Sequence, residues 1–152
     1  DYPERAEELE VILRTTGRAK PDVTPVFSAA ELITAHGMVR DVPVATHLLA
    51  YALDIVRASR RQRGAEGDVA PDFVKQYVEW GAGPRAAQYL VLGAKARALM
   101  AGRTHVTADD IRAVAHPVLA HRIILNFAGT AAGVKVGDLI DRLLQSVKVT
   151  EG

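Results

Sequence analysis

The sequence contains no cysteine, which excludes a disulfide framework and any thiolate metal site. Aromatic side chains make up only 5% of it, with a single tryptophan, so small aliphatic residues must supply most of any core. No charge of one sign prevails. Nineteen basic and 18 acidic residues leave a net charge of +1, and the bulk electrostatic case for nucleic acid or an anionic membrane fails. No apolar run approaches the roughly 18 residues of a membrane span, no signal peptide is evident, and a cytoplasmic location is expected. There is also no GxxxxGK[ST] loop, so a self-contained cradle for a triphosphate is missing. The chain begins at Asp1 rather than methionine, and it is expected to be a piece of a longer protein.

What is present is helical punctuation. The 152 residues suit one domain, expected to span 1–152, and 49% are hydrophobic. "DYPERAEELEVILRTTG" has acids early and glycine late, with Ala6, Leu9, Ile12 and Leu13 as one apolar stripe. "RAKPDVTPVF" reads as a loop. Ser28 and Glu31 form a capping box for a helix to about Val39. The longest helix is expected over "VATHLLAYALDIVRASRRQRG", followed by a Gly-rich link, "GAEGDVAP". "PDFVKQYVEW" predicts a short helix ending at Gly81, and a long one follows from Pro84 to about Met100. Thr107 and Asp110 cap the next, which Pro117 should bend or restart near His116. "NFAGTAAGVKV" reads as irregular, with a short extended piece near 122–127, and "VGDLIDRLLQSV" as the last helix. The fold expected is an all-α bundle of about six helices.

Most candidate chemistry dissolves on inspection. Among five histidines, His116 and His121 are five apart, with Pro117 between them and no third ligand at a useful spacing, so no metal site is expected. Asp109 and Asp110 are neighbours on a helix and point apart; they read as first-turn acids. The basic run "RASRRQRG", Arg57 to Arg63, reads as a solvated helix end, which favours cations.

"GAGPRA" is harder to dismiss. Gly81 and Gly83 free the backbone to turn, and Pro84 suits the first helical position. Arg85 then projects from a helix N-terminus, where a cation costs about 0.3–1 kcal/mol. Free N–H groups beside a guanidinium fork match a phosphate. From local chemistry alone, a tight loop with a solvated arginine is the simpler account.

Three segments together resemble a known family. "DYP…EEL", "GAGPRAAQYLVLGAKARAL" and "GRTHVTADDIRAVAHPVLAHRI" are similar, in this order, to the C-terminal helical lid of the MoxR family of AAA+ ATPases. The resemblance spans nearly the whole chain. It implies that Arg85 is the sensor 2 arginine, reaching toward the γ-phosphate of ATP, with Gly81, Ala82, Gly83 and Pro84 forming the turn beside the nucleotide. Gly83 stands where serine is expected in many relatives. The resemblance further implies that Walker A and B, which this chain lacks, belong to a core domain that holds most of the ATP and its Mg. The parent would be an ATP hydrolase, ring-forming and hexameric, that remodels client proteins, some carrying von Willebrand A-type domains; this chain alone would be inactive. Two other readings are open to a helical chain of this kind. It could be a stand-alone binding module, using Arg57–Arg63 on nucleic acid or contacting protein, or a scaffold in which Arg85 pairs with an acid inside the bundle.

Overall fold

Gly17, Gly102 and a series of capping residues cut the chain into helices much as their positions predict. The structure, a computed structural model, describes residues 2–18, 23–61 and 70–150. Pro21, most of the Gly-rich link, and Gln62 and Arg63 of the basic run lie outside the described residues. Two compact units result, Asp1–Ile33 and Thr34–Gly152.

In the first unit, α1 (Arg5–Thr16) opens on a capping box, with the Glu4 backbone N–H donating to the Glu7 carboxylate at 2.9 Å. None of its residues is buried, its apolar stripe included. Ser28 and Glu31 cap the start of α2 (Ala29–Asp41) as expected: Ser28 N–H donates to Glu31 at 2.7 Å and Glu31 N–H to Ser28 Oγ at 3.2 Å. Those bonds hold the Glu31 carboxyl below its ordinary pKa.

The second unit contains the core. Its axis is a pair of helices, α3 (Thr46–Ala58) and α5 (Pro84–Met100), which pack on each other. Leu48, Tyr51, Ala52, Ile55 and Val56 of α3 meet a face of α5 made of Ala86, Leu90, Ala94 and Ala98. Three alanines at helical spacing let the two axes approach closely, the packing that a chain poor in aromatics requires. Around this pair lie α4 (Asp72–Tyr77), α6 (Ala108–Ala113), α7 (Ala115–Leu119), α8 (Phe127–Ala131) and α9 (Val136–Ser146). Leu139, Ile140 and Leu143 turn α9 inward.

The all-α expectation holds, with nine helices among the described residues rather than about six. The long helix expected from Val44 ends at Ala58, with Ser59 as its C-cap and the Ser59 hydroxyl donating back to the Val56 carbonyl at 2.7 Å. The helix over "PDFVKQYVEW" stops at Tyr77, and Val78–Trp80 forms strand β1 instead. It pairs antiparallel with β2 (Ile124–Leu125), the extended piece expected near 122–127. The helix behind Thr107 breaks at Val114, two residues before His116, because the ring of Pro117 conflicts with the carbonyl four residues earlier. "NFAGTAAGVKV" is not wholly irregular: Asn126 caps α8, its side chain accepting from Gly129 N–H at 2.8 Å. No described helix is long and apolar enough to cross a membrane.

Candidate functional site

The turn 81–83 runs from β1 into α5 and lies against the end of α3. Gly81 is there for space. A Cβ on it would overlap the Ser59 carbonyl and stand 2.7 Å from Arg60 Cα, backbone that cannot move aside. At Gly83, by contrast, a Cβ would meet nothing within 4 Å. Gly83 is the N-cap of α5 and Pro84 its first residue, and no side chain caps that end. Two glycines in one turn therefore predict opposite outcomes. Gly81→Ala should cost about 1–3 kcal/mol by overpacking. Gly83→Ser should gain a few tenths, because a hydroxyl there can accept an orphan N–H. Thermal melts of the two variants check this, and equal shifts would contradict it.

Ala82, between them, is fully buried and held at both ends of its peptide. Its N–H donates to Ser59 Oγ at 3.0 Å, and its carbonyl accepts from Arg60 Nε at 2.8 Å. The basic run is thus not simply a solvated helix end: Arg60 turns inward onto the turn, while Arg61 is exposed. In the sequence Ser59 carried no reading of its own, and Arg60 only that of the basic run Arg57–Arg63. The only signal was a serine and an arginine at the end of a helix, which caps and solvated ends also explain. Arg60, Arg61 and residues 79–84 line an open groove of about 710 Å³.

Arg85 occupies the second position of α5, exposed, outside that groove. It has no hydrogen bond or ion pair to any described residue. The scaffold reading, in which it pairs with an acid inside the bundle, therefore has no partner to offer among the described residues. Gly81, Ala82, Gly83, Pro84 and Arg85 do come together as one turn, but only Arg85 presents a functional side chain. Its guanidinium is free to meet an anion that arrives from outside.

At the far end of α5 lies a second polar cluster, structural in character. Gly102, with φ +69°, ends the helix in the left-handed conformation that glycine tolerates. Arg103 N–H returns to the Ala98 carbonyl and Gly102 N–H to that of Leu99, both at 2.9 Å, a Schellman motif. Arg103 then forks onto Asp110 at 2.7 and 2.6 Å. Asp110 also accepts from the N–H and the hydroxyl of Thr107, each at 2.9 Å, and is 1% exposed. Arg103 above all, aided by Thr107 and opposed by burial, holds this carboxyl well below the usual carboxylate range. The expected capping pair is present, and it doubles as the anchor of an ion pair whose carboxylate is buried and whose guanidinium is half-buried. No group of three potential metal ligands occurs among the described residues; His116 instead meets Asp141 at 2.7 Å across α7 and α9.

With this geometry in hand, known proteins give it a context. Residues 72–143 match the family model described as the AAA lid domain. Over 150 residues the chain is 29% identical to "Chaperone MoxR1" of Mycobacterium tuberculosis, covering 99% of this chain and 38% of that one. Over 95 residues it is 35% identical to "Protein MoxR" of Paracoccus denitrificans, covering 60% of this chain and 28% of the other. A crystal structure of a candidate ATPase from Cytophaga hutchinsonii superposes with a TM-score of 0.77 at 30% identity, over 99% of this chain and 45% of that one. The chain thus spans less than half the length of these relatives.

Proposed function

We propose that this chain is the lid domain of a MoxR-family AAA+ ATPase and presents Arg85 to the γ-phosphate of ATP held mainly by a core domain; the AAA lid match over residues 72–143 and the MoxR relatives support the family. One observation carries the reading. Arg85 is an exposed cation without a described partner, on the first turn of a helix that no side chain caps. That end of α5 offers the unbonded N–H of Arg85 beside its guanidinium, since Pro84 has no N–H and that of Ala86 is bonded to the Gly83 carbonyl, and these donors suit a terminal phosphate.

The donors fit the group, and Gly81–Pro84 would form the wall of the turn beside it. Mg-ATP, when bound, supplies the phosphoryl group and the charge that develops on it. This chain contributes a rigid helix that holds a cation where that charge grows, and a packed body whose closure carries the guanidinium to it. Nothing in Arg85 makes it a base or nucleophile; its role is electrostatic. In the whole protein we place the lid, 1–152, beside its own core in a ring, hexameric as in the resemblance, in the cytoplasm. ATP hydrolysis there would drive remodelling of client proteins, for which a von Willebrand A-type domain is a candidate class. The "Chaperone" in the name of the Mycobacterium relative supports that direction. The chain alone should hydrolyse no ATP.

Steady-state ATP hydrolysis by the full-length protein with Arg85 replaced tests the reading. Turnover should fall while nucleotide still binds. Unchanged turnover would remove Arg85 from the site.

A further inference from the structure

We propose that Ser59 and Arg60 are positioning residues for Arg85, holding the Ala82 peptide at both ends so that α5 presents its first turn in one fixed direction. The inference rests on the reading of Arg85 as the residue that faces nucleotide.

The geometry is a clamp. Ser59 Oγ accepts from Ala82 N–H at 3.0 Å and donates to the Val56 carbonyl at 2.7 Å, so its hydroxyl is oriented from both sides. Arg60 Nε donates to the Ala82 carbonyl at 2.8 Å. Gly81 lies flush against the same stretch of backbone, with no room for a Cβ. Ser59 and Ala82 are both fully buried, so water does not compete for these bonds.

Little slack separates the clamp from Arg85. Only Gly83 and Pro84 intervene, and the ring of Pro84 fixes its own φ. Helical bonding starts at once, with Ala86 N–H donating to the Gly83 carbonyl at 2.9 Å. Gly83 is the one soft joint. Releasing Ala82 would let the first turn of α5 swing about it.

Arg60 carries a cost beside its bond to the Ala82 carbonyl. Its Nη2 is buried with no acceptor among the described residues, and an unmet donor of this kind is costly. An apolar side chain of similar length would fill the space without that cost. It would not hold the Ala82 carbonyl.

The experiment is a double-mutant cycle on ATP hydrolysis by the full-length protein. Arg60→Met should lower kcat roughly ten- to a hundredfold, the scale of a group misplaced by about 1 Å. KM for ATP should stay within about twofold, because Arg60 itself touches no substrate. In an Arg85→Ala background, Arg60→Met should cause no further loss, since the residue it positions is gone. Arg60→Lys should recover much of kcat, because an ammonium can still donate to the Ala82 carbonyl. If Arg60→Met does not fold, Ser59→Ala goes through the same cycle with the same expectation. A normal kcat for the clamp variant beside a slow Arg85→Ala would overturn the inference alone. So would a loss that persists undiminished in the Arg85→Ala background. A normal kcat for Arg85→Ala would overturn the nucleotide reading itself, and the clamp's role with it.

Discussion

Arg85→Ala in the full-length protein is expected to lower kcat for ATP hydrolysis by about 10²–10³-fold, the loss seen when one preorganised donor to a developing charge is removed. That corresponds to about 2.7–4 kcal/mol of transition-state stabilisation. KM should change little, since an interaction that strengthens as charge develops contributes more to the transition state than to ground-state binding. The isolated chain provides the control. Arg85 has no described partner to lose, and a cation at a helix N-terminus costs about 0.3–1 kcal/mol, so its melting temperature should hold or rise slightly. A clear fall in melting temperature would instead reveal a structural partner and favour the scaffold.

Arg103→Ala should be strongly destabilising, at about 3–5 kcal/mol, because it strands a buried carboxylate. Asp110 would keep its two bonds from Thr107 and only Arg97, 3.5 Å away and mostly exposed, as a counter-charge. Asp110→Asn should cost less, because Arg103, with a side chain 34% exposed, can turn to water. The pair also sets an acid limit. The folded pKa of Asp110 lies below the unfolded value of about 3.9, so its contribution is complete above that pH. It declines as pH falls from there through the folded pKa. Wild-type stability should therefore drop more steeply below about pH 4 than that of Asp110→Asn. Denaturant melts at pH 7 and pH 3 decide it, and parallel losses in the two proteins would contradict the pair's role.

Much of this was legible in the sequence, for local reasons. Caps and breakers act within a few residues, so Ser28–Glu31, Thr107–Asp110 and the start of α5 at Pro84 could be read directly. The "GRTHVTADDI" segment could be recognised, but not explained: Arg103 and Asp110 are seven apart across a helix end, and only the fold reveals their fork. Strand β1 was hidden because its partner lies some 45 residues on, Val78 opposite Leu125, and "PDFVKQYVEW" carries helical signals at its start. The short α8 was hidden by its own composition, two small residues and a threonine around Gly129, and its cap, Asn126, shows only in the fold. Ser59 and Arg60 escaped for the same reason as β1. Their partner, Ala82, is 22 and 23 residues away, and it is a backbone peptide, which leaves no trace in sequence.

The central claim is spatial: Arg85 faces the terminal phosphate. The most direct measurement is a structure of the full-length protein with Mg and a non-hydrolysable ATP analogue. The account predicts a guanidinium nitrogen of Arg85 within about 2.7–3.1 Å of a γ-phosphate oxygen, with Ala82 still held by Ser59 and Arg60. A bound analogue with Arg85 turned to solvent, or paired with a protein carboxylate, would contradict it.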